Sequence, residues 1–507
     1  MLNLKILYLF KIWHLQIGKK FVFITSIMIK NSTNLPFWLF TFSVISVLIV
    51  SQLIQDGVFM DGMLYISVSK NLADGIGTFW NPHFSLTCMS SFHTQPPLYF
   101  GLLAFFYKIF GTSMYVERMF CFVCYVITAI YINKLWKKIF LLNADIASNS
   151  WLPVLLWTSI PVCFWAYTNH VEETVMAVFT TLSIYYIYCA SFLNTKIIYN
   201  LILGGVFIFL SSLTKGLQGM FPIIAVGLYW LVMRNLSFKK MLMYSFILIG
   251  VPALIYVFLL FTNAEVYQSF NSYFESRLVR TFNNVGTTTD THFDLLFRLF
   301  WELFPIAALS SIILFFTKKH KAYDVINKEH YKKLFWFVLI GLSGSLPLMV
   351  TLEQRGFYLV TSFPFFAIAI AMWLAPRITV FINKINVSSS RFRFLKITSI
   401  VLLLATTVFS FLQIGNTKRD NDLLADVYAI GKIVPHGDIV IIPDDMMNDW
   451  NFREYLIRNF YISTDQYSEP AHTYYLLRKD LPKNLLPKNY KHRVLEGKVV
   501  DVYEVLK

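Results

Sequence analysis

The sequence predicts a polytopic α-helical membrane protein of about eleven transmembrane helices, with a large first outer loop and a small α/β domain at its C-terminal end. Three observations carry this. Of the 507 residues, 56% are hydrophobic and only 14% are charged, where soluble domains carry about 25% charged residues. Apolar runs approaching the roughly 20 residues that cross a bilayer recur over most of the chain. The loops between those runs divide into a basic set and an acidic set.

Residues 1–35 mix short apolar runs with Lys5, Lys11, Lys19 and Lys20, and read as a cytoplasmic or interfacial segment. The membrane domain is placed at 36–415, with spans at 36–54, 116–133, 151–166, 174–193, 198–213, 218–233, 241–261, 295–316, 334–351, 356–375 and 397–414. One set of loops holds Lys30; Lys134, Lys137 and Lys138; Lys196; Arg234, Lys239 and Lys240; Lys318 to Lys333; and Arg377 to Lys396. The positive-inside rule puts these loops in the cytoplasm. The other set, led by the first outer loop at 55–115, carries Asp56, Asp61, Asp74, Glu172, Glu173, Glu265, Asp290 and Glu353. The predicted topology is N-terminus inside and C-terminal domain outside, in a cytoplasmic (inner) membrane. The net charge of +15 is accounted for by the short basic loops, so no nucleic-acid partner is implied. Cys88, Cys121, Cys124, Cys163 and Cys189 follow no disulfide or metal spacing and read as small core residues.

Residues 416–507 are soluble in composition. Asp420–Val434 and Asp449–Asn459 read as helices, and Asp438–Pro443 and Val499–Val505 as strands. The segment holds no nucleophile motif or glycine-rich phosphate loop, so docking or packing is the role expected of it.

The residues with chemical potential cluster on one predicted face. Asp61 follows the first span, beside Gly62 and close to Tyr65. A carboxylate there is suited to proton abstraction, although Asp is also a common cap for a helix starting at Gly62. Asn169-His170-Val171-Glu172-Glu173-Thr174 links the third and fourth spans. Its acids and imidazole suit either a divalent cation near Glu172 and His170 or an acceptor hydroxyl, and equally a solvated loop with Thr174 as a cap. Lys215, in Thr214-Lys215-Gly216-Leu217-Gln218-Gly219, stands against the positive-inside trend and suits a phosphate. Arg355 and Tyr358 open a comparable outward site, as phosphate clamp and hydrogen-bonding or stacking partner, or as a local ion pair and an interfacial tyrosine. Arg118 pairs with Glu117 or meets an anionic ligand. The loop 262–294, with Arg277, Arg280, Asp290 and His292, suits a lid or a connector.

With these residues in place, the chain resembles the integral-membrane glycosyltransferases of the GT-C class, in the branch of the protein O-mannosyltransferases and the lipid A aminoarabinose transferases. Asp61-Gly62, Tyr65, Asn71-Leu72, Gly77-Thr78-Phe79-Trp80 and Pro96-Pro97-Leu98 resemble that family's first outer loop. Asn169–Thr174 resembles its second acidic loop, Lys215-Gly216 with Gly219–Pro222 its Lys-Gly motif, and Arg355, Tyr358 and Pro364 its late motif. The resemblance implies a polyisoprenyl-phosphate-linked sugar donor, a lipid, glycan or protein acceptor, and inverting transfer at the outer face. Asp61 is then the catalytic carboxylate and Glu172 its support, with Lys215 and Arg355 on the lipid phosphate. Gln95 stands where the family carries Lys or His before Pro-Pro, and His93 is the nearest substitute. No cofactor is firmly implied. A carrier or flippase for lipid-linked saccharides is the alternative; it predicts inverted repeats around a midplane site, and no repeat is seen.

Overall fold

The computed structural model describes residues 33–279, 287–317, 327–466, 472–490 and 492–505. The segment 1–32, Arg280 with the centre of the proposed lid, and the basic stretch 318–326 lie outside the described residues. Among the described residues, nine helices are long and apolar enough to cross a membrane. The principal helices are α1 (Leu35–Leu53), α2 (Met60–Ala73), α3 (Leu98–Phe110), α4 (Met114–Ile139), α5 (Trp151–Thr158), α6 (Pro161–Ala166), α7 (Glu173–Ser191), α8 (Ile197–Lys215), α9 (Ala225–Met233), α10 (Phe238–Thr262), α11 (Asp294–Thr317), α12 (Lys328–Ser345), α13 (Phe363–Asn383), α14 (Ser390–Phe411), α15 (Asn421–Ile430) and α16 (Trp450–Phe460).

Nine long helices and eleven expected spans differ at two places. The predicted span 151–166 is two short helices, because Pro161 has no amide hydrogen to continue the ladder and starts α6 instead. Trp151 stacks on Phe37 near the start of α1, at 4.9 Å, and Trp165 meets Phe59 beyond its end, at 5.0 Å, so the pair runs alongside all of α1. The second place is the continuous helical stretch Ile197–Met233. It reverses at Gly216, whose φ of 67° is tolerated by glycine. Gly219 then packs so closely that an added Cβ would lie 2.4 Å from the Ser211 carbonyl oxygen. Lys215 bonds Glu173 at one end of α7, while Tyr229 packs on Phe192 beyond the other end, at 4.6 Å. Between them, Gly216–Ile224 is 3₁₀. At about 2 Å per residue in 3₁₀ and about 1.5 Å in α9, the return limb covers roughly 30 Å, a hydrocarbon thickness.

The first outer loop is more regular than a loop. It folds into α2 and α3, which bury Tyr65, Val68, Tyr99, Phe100 and Leu103 against the bundle. The C-terminal region is a five-stranded sheet, β1 (Ile439–Ile441), β2 (Ser463–Asp465), β3 (Tyr474–Arg478), β4 (His492–Leu495) and β5 (Val500–Glu504), in the order β2-β1-β3-β5-β4. β1 runs parallel to β2 and β3, and the β3–β5 and β5–β4 pairs are antiparallel. The helices α15 and α16 pack on this sheet, and α16 also lies across α2. Tyr455 on α16 accepts from the Val58 amide at 3.2 Å and donates toward Asp420 at 3.0 Å. Arg458 pairs with Glu117 at 3.1 Å, and Tyr107 donates to the same carboxylate at 2.6 Å. Thr87 donates to the Thr464 carbonyl at 2.7 Å. The sheet domain is thus clamped onto the segment that carries Asp61.

Candidate active site

The site forms where the end of α1, the starts of α2 and α7, the end of α8 and the segment before α13 meet. Phe59 is the extended residue at which α2 begins, and it occupies the cap position. Asp61 therefore lies inside the first turn, half-buried, where the helix dipole favours negative charge. Gly62 lets α2 press on the next connection: a Cβ there would sit 2.0 Å from the Asn169 carbonyl oxygen. Asn169 completes the joint by accepting from the Phe59 amide at 3.1 Å and donating to the Trp165 carbonyl at 2.9 Å.

The second acidic segment is buried throughout. His170 has a left-handed backbone (φ 60°) and no exposure. Its Nδ1 faces Cys121 Sγ at 3.3 Å and Tyr99 Oη at 3.4 Å. Burial first, then the cations Arg118, Lys418 and Arg458, hold its pKa well below the ordinary histidine value. The ring is neutral. Among the described residues no three His, Cys, Asp or Glu side chains are grouped to hold a metal ion.

Lys215 reaches back to α7. Its ammonium bonds Glu173 closely and lies 3.8 Å from Glu172, and all three side chains are buried. The closer partner is Glu173. The same ammonium stands over the Tyr358 ring at 4.7 Å and the Phe357 ring at 5.6 Å. Gln218 donates to the Tyr358 carbonyl at 2.8 Å, fixing that loop beside the lysine. Tyr65 joins the cluster from α2. Its burial, then the negative charges of Glu172, Asp61 and Glu173, keep its hydroxyl protonated. Asp61, Glu172, Tyr65, Lys215 and Tyr358 are thereby brought together.

Other expected residues fall elsewhere. Arg355 is exposed and its guanidinium has no ion pair among the described residues. Gln95 is buried and His93 half-buried, with burial depressing the His93 pKa, and neither side chain bonds the cluster. Arg118 is buried and donates to the Gly57 carbonyl at 3.4 Å, away from Lys215. Thr288 and Thr289 of the proposed lid bond the Leu352 and Gln354 carbonyls, next to Arg355.

Glu454 was missed. It comes from α16 in the sheet domain, is 1% exposed, and has a buried Oε2 with no hydrogen-bond partner among the described residues. Burial, and then the charge of Asp61, raises its pKa well above the ordinary carboxylate value. The unfolded chain ionises this group above about pH 4.3 while the folded chain keeps its proton, so its contribution to stability is present below that pH and is lost as pH rises toward the folded pKa. Glu454→Gln is expected to flatten that decline and to raise the unfolding midpoint at neutral pH. Four buried free cysteines, Cys121, Cys124, Cys163 and Cys189, let a thiol-reactive dye report the melt. An unchanged pH profile would show that Glu454 is not the titrating group.

Residues 94–261 match the family model described as dolichyl-phosphate-mannose-protein mannosyltransferase. A comparison with curated proteins found no match. The structure is similar to ArnT from Cupriavidus metallidurans in the apo state, with a TM-score of 0.64 and 13% identity over 92% of this chain and 97% of that one. It is also similar to the same protein bound to undecaprenyl phosphate, with a TM-score of 0.62 at the same identity and coverage. The archaeal oligosaccharyltransferase AglB from Archaeoglobus fulgidus, in complex with an inhibitory peptide and a dolichol-phosphate, aligns at a TM-score of 0.47 and 14% identity, over 87% of this chain and 69% of that one. The chain has the fold of the GT-C membrane glycosyltransferases, as the resemblance in its sequence implied.

Proposed function

We propose that the chain transfers a sugar from a polyisoprenyl-phosphate donor to a lipid, glycan or protein acceptor at the outer face of a cytoplasmic membrane, with inversion. The observation that carries this reading is the buried lysine between two carboxylates and two aromatic rings, at the same end of the bundle as Asp61. The leaving group of such a reaction is a phosphate monoester, and a cation beside it stabilises the charge that develops. Asp61 takes the acceptor proton, or holds the acceptor for in-line attack on the anomeric carbon. Glu172 supports the geometry, Tyr65 and Tyr358 form walls of the sugar site, and Arg355 approaches the phosphate from the exposed side. The likeness to ArnT, solved with undecaprenyl phosphate, supports the donor class.

The test is transfer from a labelled polyisoprenyl-phosphate sugar into membrane lipids or glycans, compared between membranes with the chain and membranes from a deletion strain. A chain-dependent mass shift is expected; equal incorporation in both would end the proposal. Sidedness is checked separately. Single cysteines placed at exposed positions in 440–500 are expected to react with an impermeant maleimide in intact spheroplasts, and protection there would reverse the proposed topology.

A further inference from the structure

A second cationic site lies behind the aromatic wall of the first. A crevice of about 580 Å³ opens between α1, α14 and the connection from α6 to α7, within the size range of ligand sites. It is lined by the apolar Val47, Leu48 and Phe409 and by the cations Lys418 and Arg419. Much of α14 is exposed, including Leu404, Val408, Phe409 and Phe411, so in a bilayer this side meets lipid directly.

The charges lining the crevice are poorly compensated. Lys418 donates to the Thr168 carbonyl at 2.8 Å and has no carboxylate within ion-pair distance among the described residues. Burial, then Arg118 and Arg419, depress its pKa, the response of a cation among cations. Arg118 is buried, and its Nε and Nη1 have no partner among the described residues. Arg419 pairs through Nε with Asp420 at 3.1 Å. Asp56, the other nearby acid, accepts from Tyr428 at 2.6 Å. A crevice lined by apolar side chains and by surplus cations is complementary to an amphiphile with an anionic head.

We propose that this crevice binds a lipid with a net anionic phosphate headgroup, its phosphate on Lys418 and Arg419 and its chain along Val47, Leu48 and Phe409. The site is separate from the Lys215 cluster. Phe59 and Trp165 pack at 5.0 Å, and Trp165 stacks on Phe357 at 5.8 Å. Lys215 lies beyond Phe357, while Trp165 lines the crevice. Phe59 also starts the turn that carries Asp61, so a bound headgroup abuts the backbone that positions the carboxylate.

The experiment reads binding alone, so it stands or falls apart from sugar transfer. The full chain is placed in phosphatidylcholine nanodiscs doped with phosphatidylglycerol carrying a photoreactive acyl chain, and crosslinked peptides are mapped by mass spectrometry. Labelling of the peptide spanning Val47 to Gln52, or of that containing Phe409, is expected to exceed by about tenfold the labelling from photoreactive phosphatidylcholine. Lys418→Gln with Arg419→Gln is expected to remove about tenfold of it, the scale of one or two charge-assisted hydrogen bonds. Leu48→Trp, which fills the slot and keeps both cations, is expected to abolish it, and decides the matter if the double variant melts early. Equal labelling by phosphatidylcholine, indifference to these substitutions, or full displacement by inorganic phosphate would overturn the proposal, the last by pointing to a free anion.

Discussion

Asp61→Asn is expected to lower sugar transfer by about 10²–10⁴-fold, the usual contribution of a positioned general base, without lowering the unfolding midpoint. The two halves of this expectation have separate causes. Asn keeps the size of Asp and its place in the first turn of α2, so packing on Asn169 is preserved. The charge it removes raises the cost of ionising Tyr65 and Glu454 and lies within electrostatic range of Glu173, so its loss relieves repulsion inside the site. A residue that served only the helix dipole would give the reverse, a slightly lower midpoint with turnover intact, because a first-turn acid is worth about 0.3–1 kcal/mol. Turnover with a labelled donor and a thiol-dye melt on the same preparation separate the two. Near-normal turnover would remove Asp61 from the mechanism.

Most of the architecture was legible because it is written locally. Apolar runs mark spans by their length, and the basic loops alternate with them. The reversal after Lys215 was readable from Gly216 and Gly219, which interrupt the apolar pattern where the backbone must turn and press against Ser211. Four short motifs placed Asp61, Glu172, Lys215 and Arg355 on one face; the structure gathers the first three with Tyr358 and leaves Arg355 exposed beside them. What the sequence could not supply were contacts between distant segments. Nothing near Glu454 marks it as a neighbour of Asp61; its helix was legible as amphipathic, but not which surface that helix would cover. The preference of Lys215 for Glu173 over Glu172 depends on the rotation of α7 relative to α8, which neighbouring acids of equal charge do not reveal. The segment was read as a polar loop because its polar residues mask the apolar faces of α2 and α3, which are buried only by distant segments, α2 by α16 and α3 by α2, α4 and α8.

The Lys215–Glu173 pair gives the second large effect, on stability and activity together. Lys215→Met leaves two buried carboxylates without their cation, and breaking a buried ion pair from one side costs about 3–5 kcal/mol. An early thiol-dye transition and loss of donor use are both expected. Taken alone, that result is ambiguous, since a melted site transfers nothing. Lys215→Met combined with Glu173→Gln resolves it: the second change removes the closer of the two stranded charges and keeps the side-chain volume, so the midpoint is expected to return part of the way. Transfer is expected to stay low, because the leaving phosphate still lacks its cation. Glu173→Gln by itself leaves the ammonium less neutralised and is expected to lower the donor KM. Recovery of turnover in the double variant, or an unchanged donor KM in the single one, would reduce Lys215 to a structural counter-ion and shift the phosphate contact toward Arg355.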